Sequence, residues 1–147
     1  MRKIVCVVLS LMLLTSVVVL TVSANNHQDT SFFFNFTTLE RNTEDRQKRD
    51  ASSSYMKCTR TGATYWGKVY EINYGNSSVR IETDRSHGYK YAFNTGTVHF
   101  MYNWVWEETT LPTEQGEGWQ PWAFIKATSG ATVYTAEGVW SPDSVPE

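Results

Sequence analysis

The sequence predicts an all-β protein: a small antiparallel β-sandwich of seven to eight strands behind a cleaved signal peptide. Aromatic residues are abundant, with 6 Trp, 8 Tyr and 7 Phe in 147 positions, which suits pleated, half-buried surfaces. From Tyr55 onward, short stretches rich in Tyr, Trp, Val, Ile and Thr recur between Gly, Asn and Ser turns, at the spacing of about 8–12 residues typical of sandwiches and barrels. No segment carries a convincing helical period.

The same composition excludes other classes. A chain of 147 residues holds at most one ordinary domain, and so aromatic a chain has enough apolar surface to fold. A formal net charge of −2 is wrong for a nucleic-acid binder that works by neutralising phosphates.

Taken in order, residues 1–24 read as a signal peptide. Arg2 and Lys3 precede an apolar run from Ile4 to Leu20, and the small residues of Val22-Ser23-Ala24 precede Asn25. Cleavage after Ala24 leaves 123 residues with 11 basic and 15 acidic side chains, no second apolar run of spanning length, and a secreted product. Cys6 leaves with the leader, so Cys58 alone remains. An intramolecular disulfide is then impossible, and a Cys58-linked dimer is the one disulfide open to the chain.

Residues 25–54 read as an N-terminal strand and a charged linker, ahead of a sandwich domain over 55–147. Phe32, Phe34 and Phe36 alternate and share one strand face. The 40–54 segment is densely charged and has no large apolar side chain, which makes it a linker or an exposed loop. Its Arg46-Gln47-Lys48-Arg49 run also fits a dibasic processing pattern.

Strands are expected at Tyr55–Thr59, Thr64–Ile72, Val79–Thr83, Tyr89–Phe93, Thr97–Glu107, Trp122–Ala127 and Ala131–Trp140. The clearest runs from Val98 to Glu107. Val98, Phe100, Tyr102, Trp104 and Trp106 share one face, expected to point into the core, and His99, Met101, Asn103 and Val105 share the other. Asn94-Thr95-Gly96 forms the tight turn that joins this strand to Tyr89–Phe93.

Three segments, Ala24–Thr30, Ser54–Thr59 and Gly138–Val145, resemble those of a group of small exported uncharacterised proteins from Gram-positive bacteria. The layout also resembles that of the lactococcin 972-type bacteriocins, in which a signal peptide precedes a small β domain rich in Gly, Tyr and Trp. The resemblance implies export and a β fold, and brings no catalytic residues.

Catalytic patterns are weak. Cys58 would need His87 or His99 beside it to act as a nucleophile, and reads more simply as a packed thiol on a face shared with Met56. Glu107-Glu108 and Glu114…Glu117 are the local carboxylate pairs, and adjacent strand residues point to opposite faces. His27, His87 and His99 lack metal-ligand spacing. No catalytic residue, metal or cofactor is expected. Asn35 and Asn76 head N-x-S/T sequences that matter only on a eukaryotic secretory route.

Flat rings are the functional lead. Trp119 and Trp122 follow a Gly-rich segment, and Tyr65-Trp66 adds two more rings; exposed rings of this kind stack on sugars or anchor partners. The first expectation is a non-enzymatic exported protein that binds a cell-envelope component or another protein, in the manner of a bacteriocin. A carbohydrate-binding module using Trp119, Trp122, Tyr65 and Trp66 is the alternative, and a secreted hydrolase with an unrecognised site is the third.

Overall fold

The computed structural model describes residues 26–73, 79–109 and 121–144. Ten strands are present: β1 (Thr30–Phe36), β2 (Glu40–Asn42), β3 (Arg46–Gln47), β4 (Ser54–Thr61), β5 (Tyr65–Asn73), β6 (Ile81–Asp84), β7 (Tyr91–Phe93), β8 (Val98–Met101), β9 (Trp122–Ser129) and β10 (Tyr134–Ser141). They form two antiparallel sheets. The first has four strands in the order β1-β10-β4-β8; the second has six, β2-β9-β5-β6, with β3 also on β9 and β7 also on β5. The expected all-β sandwich is the fold, with ten strands in place of seven to eight.

The core lies between the sheets, and period-two alternation fills it. Phe32, Phe34 and Phe36 of β1, Met56 and Cys58 of β4, and Ala136 and Trp140 of β10 point inward from one side. Tyr65 and Val69 of β5 and Ala123, Ile125 and Ala127 of β9 meet them from the other. The rings interlock: Phe34 packs edge-on to Tyr65 at 5.8 Å, and Tyr65 stacks on Phe93 at 5.2 Å.

Three expectations change. The strand expected over 97–107 ends at Met101 and is turned over. Phe100 pairs with Tyr55 and Met101 with Ser54, so the inward face of β4 draws Met101 inward and sends Phe100 out. Met101, Asn103 and Val105 are buried, whereas Val98, Phe100, Tyr102 and Trp106 are 43%, 40%, 63% and 38% exposed. The buried Asn103 amide ends the strand by donating to the Met101 carbonyl and to Ser54 Oγ. The Asn94–Gly96 turn does form, with Gly96 at φ 85°. It joins β7 and β8, which lie in different sheets, and so makes a corner between the sheets rather than a hairpin.

The charged 40–54 segment is neither linker nor exposed loop. It supplies β2 and β3 to one edge of β9. Lys48 is completely buried, and its ammonium meets Ser52 O at 2.5 Å, Pro142 O at 2.8 Å and Asp143 Oδ1 at 3.2 Å. Asp143 also accepts from the Arg49 and Asn26 backbone N–H groups. A buried cation is tolerable only with such a set of acceptors. The dibasic run is therefore closed to a protease in the folded chain. The sandwich takes in the chain from β1 onward.

Candidate functional site

The two outer faces of the sandwich differ. On the six-stranded sheet, Lys126 bridges to Glu82 at 2.6 Å, Arg80 to Asp45 and Glu82 at 2.5 and 2.9 Å, and Lys68 to Asp84 at 2.7 Å. Arg80 also lies 4.8 Å over the Phe124 ring and Lys126 lies 4.5 Å over Tyr70. Cations thus lie over the Tyr70 and Phe124 rings, and Phe124 is fully buried beneath this cover. Glu82 is held below the usual carboxylate range by its hydrogen bond from Lys126, with Arg80 adding to it.

The outer face of the four-stranded sheet is open. Phe33, Val98 and Phe100 stand exposed on it, Tyr55 lies 5.5 Å from Phe100, and the exposed Arg60–Glu137 pair is its ion pair among the described residues. Two clefts open on this face. The larger, of about 530 Å³, is lined by Tyr55, Val98 and Phe100 on its apolar side and by His27, Asp29, Ser141, Asp143 and Ser144 on its polar side. Both ring nitrogens of His27 are shielded from solvent and lack a hydrogen-bond partner. Burial and the neighbouring Asp29 carboxylate push the Tyr55 hydroxyl above its ordinary pKa. The smaller cleft, of about 380 Å³, lies between Phe33 and Val139.

Past β8 the aromatic surface continues as a ledge. Trp104 stacks on His87 at 4.2 Å and on Tyr89 at 6.1 Å, and Tyr89 meets Tyr102 at 6.2 Å. A chain of charges fixes it from below: Glu71, almost fully buried, binds Arg85 at 2.6 Å, Arg85 binds Glu108 at 3.1 Å, and Glu108 takes His87 Nε2 at 2.7 Å. The hydrogen bond from His87 is the main reason that the Glu108 carboxyl is held below its ordinary range.

Of the residues expected to bind, the described Tyr65 and Trp66 do not share a face. Tyr65 is buried in the core and has no face for a ligand, while Trp66, next to it, points out and is 36% exposed. Trp122 is half-buried on β9, opposite Ile72. Trp119 lies outside the described residues, as do Asn76 and the Glu114–Glu117 pair. Cys58 is a free thiol, 0% exposed, bonded to the Arg60 carbonyl, and burial raises its pKa. It is the packed thiol expected with Met56, and a Cys58-linked dimer has no route without opening the sheet. His99 bonds to the Ala92 carbonyl and His87 to Glu108, so neither serves Cys58. The surface that does form runs from Phe33 through Tyr55 and Phe100 to Trp104, and its Val98, Phe100 and Trp104 come from the stripe assigned to the core. Its alternation signalled a two-faced strand, but only the pairing partner decides which face is inside.

Fold and surface together define an all-β sandwich with one ion-paired face and one open aromatic face flanked by clefts. No helix among the described residues is long and apolar enough to cross a membrane. No group of three or more His, Cys, Asp or Glu side chains among them could hold a metal ion. The chain belongs to the family described as "Protein of unknown function (DUF2712)", whose model matches residues 20–144. No curated protein and no solved structure matches it.

Proposed function

We propose that this chain is an exported bacterial protein that acts by binding, without chemistry of its own, at the cell surface, and that its binding face is the outer face of the four-stranded sheet. The contrast between the two faces carries the reading. One sheet sets cations and ion pairs over Phe124 and Tyr70 and leaves Trp66 and Ile81 exposed singly; the other leaves Phe33, Val98 and Phe100 at 40–63% exposure beside two clefts. Exposed apolar area grouped in this way marks an interaction surface. Export rests on the leader pattern of residues 1–24, and the Gram-positive and bacteriocin likenesses favour a wall component of a related strain as the target.

The larger cleft favours a saccharide as the bound chemistry. Its Tyr55–Phe100 wall can take the C–H face of a sugar ring while the exposed Asp29 carboxylate, opposite, takes hydroxyl groups. This moves the stacking platform from Trp119, Trp122, Tyr65 and Trp66 to β4 and β8. The test is retention of the purified protein on insoluble cell-wall material, with soluble wall oligosaccharides as competitors. Wild type is retained and Phe100→Ala weakens retention at least about tenfold, with the fold intact because Phe100 is a surface residue. A protein that passes through unretained overturns the proposal. Retention that oligosaccharides do not displace removes the saccharide and keeps a protein target.

A further inference from the structure

Sheet edges present free backbone groups, and proteins blunt them with short strands and charges. Three of the four edges here are blunted. On the six-stranded sheet, β2 and β3 are three and two residues long and carry Glu40, Arg41 and Arg46, while on the far side β6 has four residues, including Glu82 and Asp84, and β7 has three. On the other sheet, β8 has four residues, and the Tyr102 N–H just beyond it is taken by the Tyr91 hydroxyl. The fourth edge is β1, seven residues of sequence TSFFFNF, with no charge and no proline.

The backbone of β1 is set for pairing. Its Phe36 carbonyl accepts from Val133 N–H at 2.6 Å, on the β10 side. Bonding direction alternates along a strand, so Phe34 and Phe32 also face β10, whereas Ser31, Phe33 and Asn35 turn their N–H and C=O groups to the free side. On that side the Asn35 carbonyl is taken by the Arg41 guanidinium and the Thr37 N–H, which closes this end of the edge and leaves Ser31, Phe33 and the Asn35 N–H for pairing. Phe33 adds a side chain that is 63% exposed.

We infer that β1 pairs antiparallel with β1 of a second copy, across a two-fold axis at Phe33, and joins the two four-stranded sheets into one. The segment is complementary to itself about that residue. Phe33 and its copy exchange both N–H···O=C bonds, and each Asn35 N–H donates to the Ser31 carbonyl opposite it. The two Phe33 rings become cross-strand neighbours and uncharged Ser31 faces uncharged Asn35, with the Arg41 guanidinium keeping the Asn35 carbonyl at each end of the paired segment. Such an isologous contact closes on itself and gives a dimer rather than a filament. It takes Phe33 out of the open face and leaves the larger cleft at Tyr55, Val98 and Phe100 as the proposed ligand site.

Analytical ultracentrifugation of the purified protein over a micromolar concentration series tests this. Wild type dimerises. Phe33→Lys and Phe33→Glu, each changing a solvent-facing side chain, raise the dimer dissociation constant at least about tenfold by setting like charges opposite each other. Mixing the two variants restores the dimer, because residue 33 faces its own copy; damage to the fold would not be repaired by mixing. Under oxidation Phe33→Cys cross-links to itself, whereas Cys58 stays reduced. A wild type that remains monomeric throughout the series, dimers insensitive to both charges, or a mixture that stays monomeric overturns the inference.

Discussion

A β-carbon added at Gly138 would stand 1.9 Å from the Lys57 carbonyl oxygen and 2.8 and 2.9 Å from atoms of the Phe32 ring. The bulge between Glu137 and Gly138 presses the β10 backbone onto β4 while Phe32 closes over it from β1. Three strands of the sheet therefore meet where only hydrogen fits. Gly138→Ala must move backbone, not a flexible side-chain end, and the expected loss is roughly 3 kcal/mol of unfolding free energy, at the top of the usual overpacking range. The urea midpoint measures it; a loss under about 1 kcal/mol would mean that β4 and β10 yield easily at the bulge. Gly138 opens the Gly138–Val145 segment on which the family resemblance partly rests. Sequence alone marks the segment as distinctive and gives no reason for the glycine, since the reason is a carbonyl on a strand some 80 positions earlier.

The closing segment after β10 and the charged segment around β3 form one buried knot. Lys48 and Asp143 have fully buried side chains 3.2 Å apart, Ser54 Oγ donates to Pro142 O, and Ser144 Oγ donates to Ser53 O. Burial lowers the Lys48 pKa and Asp143 draws it back upward. Removing one partner leaves the other charge buried with fewer contacts, so Lys48→Met is expected to lose about 3 kcal/mol, the lower end for a broken buried pair. Asp143 keeps the Arg49 and Asn26 N–H groups, which limits the loss. Adding Asp143→Asn should then lose much less than it does alone; a double-mutant cycle that sums the two separate losses would contradict this coupling. These elements also show where reading the sequence stops. The alternating Phe32, Phe34 and Phe36 of β1 gave a buried face because the polar Ser31 and Asn35 mark the other face, on which Phe33 stands alone as an apolar residue. In β8 the wholly apolar face of Val98 and Phe100 was assigned to the core and the mixed face of His99 and Met101 lies inside, because register with β4, not composition, decides which face is buried. Segment 40–54 lacked apolar residues and so suggested exposure, whereas its lysine is buried by long-range acceptors that no local pattern encodes.

Across the whole molecule, the ion pairs of the six-stranded sheet and the candidate binding surface lie on opposite sides. Glu82 and Asp84 belong to the covered face, and Glu108 to the corner beneath the aromatic ledge. All three carboxyls are held below their ordinary pKa: Glu82 by its hydrogen bond from Lys126, Glu108 by that from His87, and Asp84 because bonds from Lys68 and Ser86 outweigh an upward push from burial. A carboxyl with a depressed folded-state pKa binds fewer protons folded than unfolded, so its stabilisation is present above the unfolded value, about 4. It is lost as the pH falls through the folded value. Stability is therefore expected to fall steadily as the pH goes from about 5 towards 3, and the fall should be blunted by high salt because these pairs meet solvent. Lys126→Ala should flatten part of the acid slope by releasing Glu82, and it should leave wall retention near neutral pH unchanged, since the cation belongs to the far face. Phe100→Ala should do the reverse, lowering retention and keeping the acid slope. Urea midpoints across pH, set beside retention for the same two variants, measure both effects. If either variant alters both properties, the division of labour between the two sheets is wrong.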